Sequence, residues 1–226
     1  MDHEIEKEAA ARASLAFVKD GDVVGLGTGS TAAYFIKFLG EKVKAGFKVR
    51  GVPTSARAQQ LAHHCGIPLV GLDEVAEIDV DVDGADEFDP QLCLIKGGGG
   101  ALLREKIVAS ASKKFVVVAD SSKQVAALGK FPLPVEVIPF AEALVARQIS
   151  ALGAKVALRK TEQGSPFTTD EHHHILDCSF EKINHPASLA ATLSAIPGVV
   201  EHGLFINMAT LVLVANGSNV TERRAL

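Results

Sequence analysis

Lysine and glutamate on either side of a glycine run are the residues of this chain best suited to moving a proton beside a carbonyl. The stretch reads Lys96-Gly97-Gly98-Gly99-Gly100-Ala101-Leu102-Leu103-Arg104-Glu105-Lys106. Consecutive glycines cost backbone entropy and pack nothing, so they are kept where the backbone must turn tightly or come close to a ligand. A short apolar segment, Leu92 to Ile95, precedes them and a helix-forming run from Ala101 to Ser112 follows. Strand, glycine loop and helix N-terminus leave amides able to face a negative oxygen. At helical spacing Glu105 shares a face with Ala101, Leu102, Val108 and Ala109, which predicts a partly desolvated carboxylate of raised pKa. The bland alternative is a flexible turn followed by a solvated helix face.

A second glycine turn, Gly27-Thr28-Gly29-Ser30-Thr31-Ala32, follows the apolar run Val23 to Leu26. It satisfies the G-x-G-x-x-A form of the dinucleotide fingerprint, but that motif wants an acid at the end of the second strand. Here that strand ends Val52-Pro53-Thr54-Ser55. The hydroxyls of Thr28, Ser30 and Thr31 suit a phosphate better, and a dinucleotide site or a structural turn remain the other readings. Asp81-Val82-Asp83-Gly84-Ala85-Asp86-Glu87 gathers acids at a strand end. Clustered carboxylates repel, so they persist where they bind metal, hold sugar hydroxyls or divide acid and base roles. The spacing lacks the EF-hand pattern. Asp79 and Asp81 read best as a solvated acidic turn; Asp83 and Asp86 flank a bend and are the pair to meet a ligand. Lys123, in Asp120-Ser121-Ser122-Lys123, is either a cation for a phosphate or hydroxyl or a surface lysine. His172-His173-His174 raises a metal reading, but neighbours in a strand point to opposite faces, which favours a polar hairpin end.

The elements that must carry these groups alternate between short apolar strands and amphipathic helices. Helices are expected over 4–17 and 32–39 and, following Pro53-Thr54-Ser55, through His63 or His64; strands over 23–26, 47–52, 68–71, 78–83 and 115–120. This order predicts a Rossmann-like α/β fold, a parallel sheet with helices on both faces, whose ligands gather beyond the strands' carboxyl ends. Pro132, Pro134 and Pro139 cannot sit in a central parallel strand and mark a domain crossing. Strands at 133–138, 154–160, 173–179 and 199–202 with helices at 140–152 and 185–196 spell βαββαβ, a smaller ferredoxin-like α+β domain. Residues 1–129 and 204–226 are thus assigned to the parallel-sheet domain and 130–203 to the inserted one.

Composition bounds the function. Net charge is −4 with 22% charged residues, which gives no reason to expect nucleic acid. No apolar run approaches the length of a bilayer span. The acidic start Met1-Asp2-His3-Glu4 carries no signal or transit pattern. Cys65, Cys93 and Cys178, odd in number and widely spaced, point to a reducing cytoplasm.

Taken in order, these motifs resemble type A ribose-5-phosphate isomerase. The resemblance is carried by Gly27-Thr28-Gly29-Ser30-Thr31-Ala32, Val82-Asp83-Gly84-Ala85-Asp86-Glu87, Lys96-Gly97-Gly98-Gly99, Arg104-Glu105-Lys106, Ser122-Lys123-Gln124, Gly129 through Pro139 and Ile196-Pro197-Gly198-Val199-Val200. It implies interconversion of ribose 5-phosphate and ribulose 5-phosphate in the pentose phosphate pathway, without metal or organic cofactor. It implies Glu105 as general base, Lys96 with the Gly97, Gly98 and Gly99 amides as oxyanion stabilisers, and Asp83 and Asp86 as holders of hydroxyls that help open the ring. Thr28, Gly29, Ser30, Thr31, Gly84, Ala85, Lys123 and Lys7 are implied as substrate contacts, and a homodimer or homotetramer as the assembly. Two departures stand out: Leu103 where the family often has threonine, expected to face the core, and Asp170-Glu171-His172 in place of an Asn-Gly type turn. Competing readings are a non-enzymatic sugar-phosphate sensor and a CoA-transferase-like or NAD-binding enzyme on the same scaffold.

Overall fold

The computed structural model describes residues 3–224. The first half of the chain contains α1 (His3–Ser14), β1 (Val23–Leu26), α2 (Ser30–Lys44), β2 (Arg50–Pro53), α3 (Ala56–Cys65) and β3 (Val80–Gly84). Next come β4 (Glu87–Phe88), β5 (Leu94–Ile95), α4 (Leu102–Ser110) and β6 (Phe115–Asp120). The remainder forms β7 (Leu133–Val137), α5 (Glu142–Ala151), β8 (Lys155–Leu158), β9 (His174–Ser179), α6 (Pro186–Ser194), β10 (Val199–His202), β11 (Leu204–Phe205), β12 (Leu211–Asn216) and β13 (Asn219–Arg223). The expected strand at 68–71 reduces to one bridge between Leu69 and Gly51.

The larger compact unit comprises residues 1–85, 104–124 and 208–226. Its sheet runs β13-β12-β6-β3-β1-β2, parallel throughout except for the terminal β12–β13 hairpin. Strand order reverses between β1 and β3, the position where open α/β sheets make their crevice. Period-two alternation sends Val24, Leu26, Val80, Val82, Val116 and Val118 into one core with residues of α1, α2 and α3. Val23 and Val52 face the other way and pack with Val108 of α4. Helices therefore cover both faces. In α2 the buried Ala32, Phe35, Ile36 and Leu39 repeat at the spacing of one helical stripe. Ser55 caps α3 by accepting from the Ala58 amide at 3.0 Å, and Gly66, with φ +79°, ends it.

The smaller unit comprises residues 86–103 and 125–207. Its four-stranded sheet, β10-β7-β9-β8, is antiparallel throughout and has the order of the ferredoxin-like split βαβ. A second sheet, β11-β5-β4, is also antiparallel. The boundary differs from the expected 130–203 for a physical reason. The strand β4 pairs with β5 and β5 with β11, so 86–103 belong with the smaller unit and the chain returns to the parallel sheet only at β12. The glycine loop at 97–100 thus leaves a strand of this small sheet and not, as the alternation of elements implied, one of the parallel sheet.

Candidate active site

Within the larger unit, the polar groups gather where β1 and β3 end side by side. β3 reads Val-Asp-Val-Asp-Gly, so its two aspartates share one face while its valines fill the opposite core. Asp81 and Asp83 are both fully buried. For Asp81 this overturns the solvated-turn expectation. Two glycines, one within β1 and one directly after it, make the room: a Cβ at Gly25 would lie 2.5 Å from Asp81 Oδ1 and 2.8 Å from Val108, and one at Gly27 would overlap the Asp83 carboxyl. Asp83 Oδ1 accepts from the Thr28 amide at 2.9 Å and the Gly84 amide at 2.7 Å, which fixes its carboxylate across the switch point. Asp79, by contrast, is partly exposed; the Val23 amide and Lys113 hold its carboxyl below the usual range.

Glu105 lies in α4 and is 3% exposed. Leu102, Val108 and Ala109 are buried with it while Ile107 is exposed, so the predicted helix face is the inner one. Leu103 is only partly buried, short of its expected core placement. α4 precedes β6, which pairs in parallel with β3. Val108 lies beside Gly25, and Glu105, one turn back along α4, falls on the same helix face.

The turn after β1 is built for close approach. Gly29 caps α2 with φ +121° and offers no side chain, so the first-turn amides of a 15-residue helix lack a side-chain cap. Ser30 and Gly29 are exposed and Thr31 is buried. Thr28 Oγ1 lies 2.7 Å from both Thr54 Oγ1 and Ser55 Oγ. These two hydroxyls at the end of β2 were missed as site residues, although their place where a dinucleotide fold keeps an acid was the available signal.

Lys7 lies on α1 with Nζ 2.6 Å from Glu4, and Lys123 ends a 3₁₀ turn after β6. Glu6 joins their supports. Its carboxylate accepts from the Ser121 amide at 2.9 Å, Ser121 Oγ at 2.8 Å and the Gly217 amide at 3.1 Å. Burial alone would push this carboxyl up, but the donors outweigh it and hold it at about 2. Among the described residues, His3, Glu6 and Asp120 are the group with metal-ligand spacing, yet these hydrogen bonds already engage both Glu6 oxygens.

The smaller unit carries the glycine loop. Lys96, directly after β5, is 2% exposed, its Nζ 5.5 Å from the centre of the Phe205 ring. Gly97 and Gly100 have φ of +100° and +83°, conformations that exclude most side chains. The Gly98 amide donates to Asp86 Oδ2 at 2.7 Å. Gly98 and Gly99 are exposed, and Gly84 and Ala85 are half-buried in the turn leading to Asp86. The three histidines have different surroundings: His173 Nδ1 lies 2.9 Å from buried Glu136, His174 Nδ1 lies 2.7 Å from Glu142, and His172 is exposed with φ +63° in the turn before β9.

An open parallel sheet with buried carboxylates at its switch point and a separate βαββαβ module are the parts of an α/β enzyme of acid–base type. The model of the family described as ribose 5-phosphate isomerase A (phosphoriboisomerase A) matches residues 50–219. A ribose-5-phosphate isomerase A from Parvibaculum lavamentivorans is 52% identical over 98% of this chain and 100% of its own length. One from Rhodopseudomonas palustris is 53% identical, with coverages of 97% and 98%. Among solved structures, the ribose 5-phosphate isomerase A of Methanocaldococcus jannaschii superposes with a TM-score of 0.93 at 43% identity, covering 96% of this chain and 97% of that one. A D-ribose-5-phosphate isomerase in complex with phospho-erythronic acid gives 0.94 at 44% identity, with the same coverages. The chain belongs to the ribose 5-phosphate isomerase A family.

Proposed function

We propose that this chain interconverts D-ribose 5-phosphate and D-ribulose 5-phosphate through an enediolate, and that Glu105 is the base. The observation that carries the reading is a carboxylate buried to 3% exposure on α4, the helix that precedes β6. A general base must sit out of water with its pKa matched to its task, and burial is the usual device.

In the open-chain sugar, Glu105 removes the proton on C2 and the C1 carbonyl becomes an oxyanion. The acid then returns that proton to C1, while the hydroxyl proton moves from O2 to O1 and C2 becomes the ketone. Lys96 and the Gly97 and Gly99 amides stabilise the oxyanion, usually the largest catalytic contribution, while the Gly98 amide is held by Asp86. A lysine shielded from water and lying against an aromatic ring keeps its position without rearrangement at the moment of reaction. Asp83 and Asp86 hold sugar hydroxyls and assist ring opening; their anchoring by Thr28, Gly84 and Gly98 amides supports fixed acceptors. The uncapped start of α2 at Gly29, Ser30 and Thr31, with Thr28, Lys123 and Lys7, takes the phosphate. Gly84 and Ala85 bring backbone up to the sugar. The phospho-erythronic acid bound by a relative supports this reading, since it carries a phosphate and a planar carboxylate on a sugar-acid chain. The cysteines are free, and burial pushes the Cys93 and Cys178 thiols up to about 11 and 12. Three unpaired cysteines support a reducing, cytoplasmic setting.

The test is conversion of ribose 5-phosphate by purified, EDTA-treated chain. Turnover is expected to survive the chelator, and Glu105→Gln is expected to lower kcat by roughly 10²–10⁴ with modest change in KM. Near-normal turnover in Glu105→Gln removes that residue from the role of base.

A further inference from the structure

Arg159 stands at the end of β8, far in sequence from the glycine loop, yet its guanidinium is spent on that loop. Nε and Nη2 form a fork on Asp177 of β9, at 3.0 Å from Oδ2 and 2.5 Å from Oδ1. Nη1 donates to two successive carbonyls, Gly97 O at 2.9 Å and Gly98 O at 3.2 Å. The residue is itself pinned: its amide donates to Ile175 O and its carbonyl accepts from the Phe167 amide. Its side chain is 14% exposed. Phe167 adds a wall, because a Cβ on Gly100 would lie 2.5 Å from the ring.

We propose that Arg159 is a positioning residue for isomerisation, the group that aims the amides of the glycine loop; this rests on the function proposed above. The described peptides are all trans, so each N–H points away from its own carbonyl. Drawing the carbonyls of Gly97 and Gly98 toward one guanidinium turns the amides of Gly98 and Gly99 to the opposite side. The Gly98 amide there holds the Asp86 carboxylate, and the Gly99 amide beside it faces the developing oxyanion. Four glycines have no preference for this arrangement, and Arg159 supplies it. Asp177 keeps the guanidinium planar to the loop and balances its charge, so the pair sets direction without placing a net charge behind the amides.

The experiment measures kcat and KM for ribose 5-phosphate, inhibition by phospho-erythronic acid, and the melting temperature, for wild type, Arg159→Met, Arg159→Lys and Asp177→Asn. Loss of aim by even an ångström costs up to about 100-fold in rate. Arg159→Met is therefore expected to lose roughly 10- to 100-fold in kcat, with KM within about threefold of wild type. Phospho-erythronic acid should weaken by a similar factor. Arg159→Lys keeps a point charge but not the fork and should fall between, as should Asp177→Asn. A kcat within about twofold of wild type in Arg159→Met, or a loss wholly in KM, overturns the proposal. Should Arg159→Met fail to fold, native-like melting with unchanged kcat in the other two variants overturns it equally. Absence of isomerisation by the wild type would instead sink the proposed function.

Discussion

Two aspartates in the middle of a buried parallel strand need space, and that space is made by Gly25 within β1 and Gly27 directly after it. A methyl group at Gly27 would run into both the side chain and the Cα of Asp83, so Gly27→Ala has no small adjustment open to it. It is expected to destabilise the fold by about 1–3 kcal/mol, the range for overpacking, and to lower kcat further by displacing Asp83. Urea denaturation alongside steady-state kinetics checks this; wild-type stability and rate would mean that Asp83 tolerates movement. Legibility at this scale was uneven. Asp83, Asp86, Lys96 and Glu105 stood out because acids and lysines beside glycine are chemically conspicuous. Asp81 did not, since nothing local distinguishes a buried aspartate from a solvated one when the cavity is made by a glycine on another strand. Arg159 was invisible for the same reason: its partners lie about sixty residues away in the chain.

Elements were read from the sequence more reliably than their partners. The continuous apolar run of β6 and the stripe of α2 announce themselves, and the βαββαβ order of the smaller unit appears with only small shifts at element ends. The pairing of β4 with β5 and of β5 with β11 escaped notice because two-residue strands carry no period. Local turn chemistry also yields a prediction. His172 holds φ +63° in the turn before β9, exposed to solvent. His172→Gly relieves a conformation that costs an L-residue about 1 kcal/mol or more, and should raise the melting temperature measurably. In α3, Ser55→Ala removes the oxygen that caps the Ala58 amide and should cost about 1 kcal/mol by chemical denaturation. It also strips one hydroxyl from beside Thr28.

At the scale of the whole molecule, charge placement sets how stability follows pH. Glu6 has its pKa lowered from 4.5 to about 2 by donors from Ser121 and Gly217 that outweigh burial. A depressed folded pKa means stability that is complete above the unfolded value and is lost as pH falls from about 4.5 toward about 2. Glu136 works in the opposite sense. Burial raises its pKa despite His173 and Thr169, so its contribution declines as pH rises through its range and the carboxyl ionises in the interior. Glu6→Gln should flatten the acid limb of a stability–pH curve. Glu136→Gln, which can still accept from Thr169, should leave stability at neutral pH equal or higher. Among the described residues no helix is long and apolar enough to cross a membrane.

The proton itself offers the most direct test. Ribose 5-phosphate incubated with the chain in deuterium oxide should exchange its C2 hydrogen with solvent during turnover, and Glu105→Gln should lose that exchange together with kcat while still binding the sugar phosphate. Exchange at the wild-type rate in Glu105→Gln would contradict the account, because another group would then be carrying the proton.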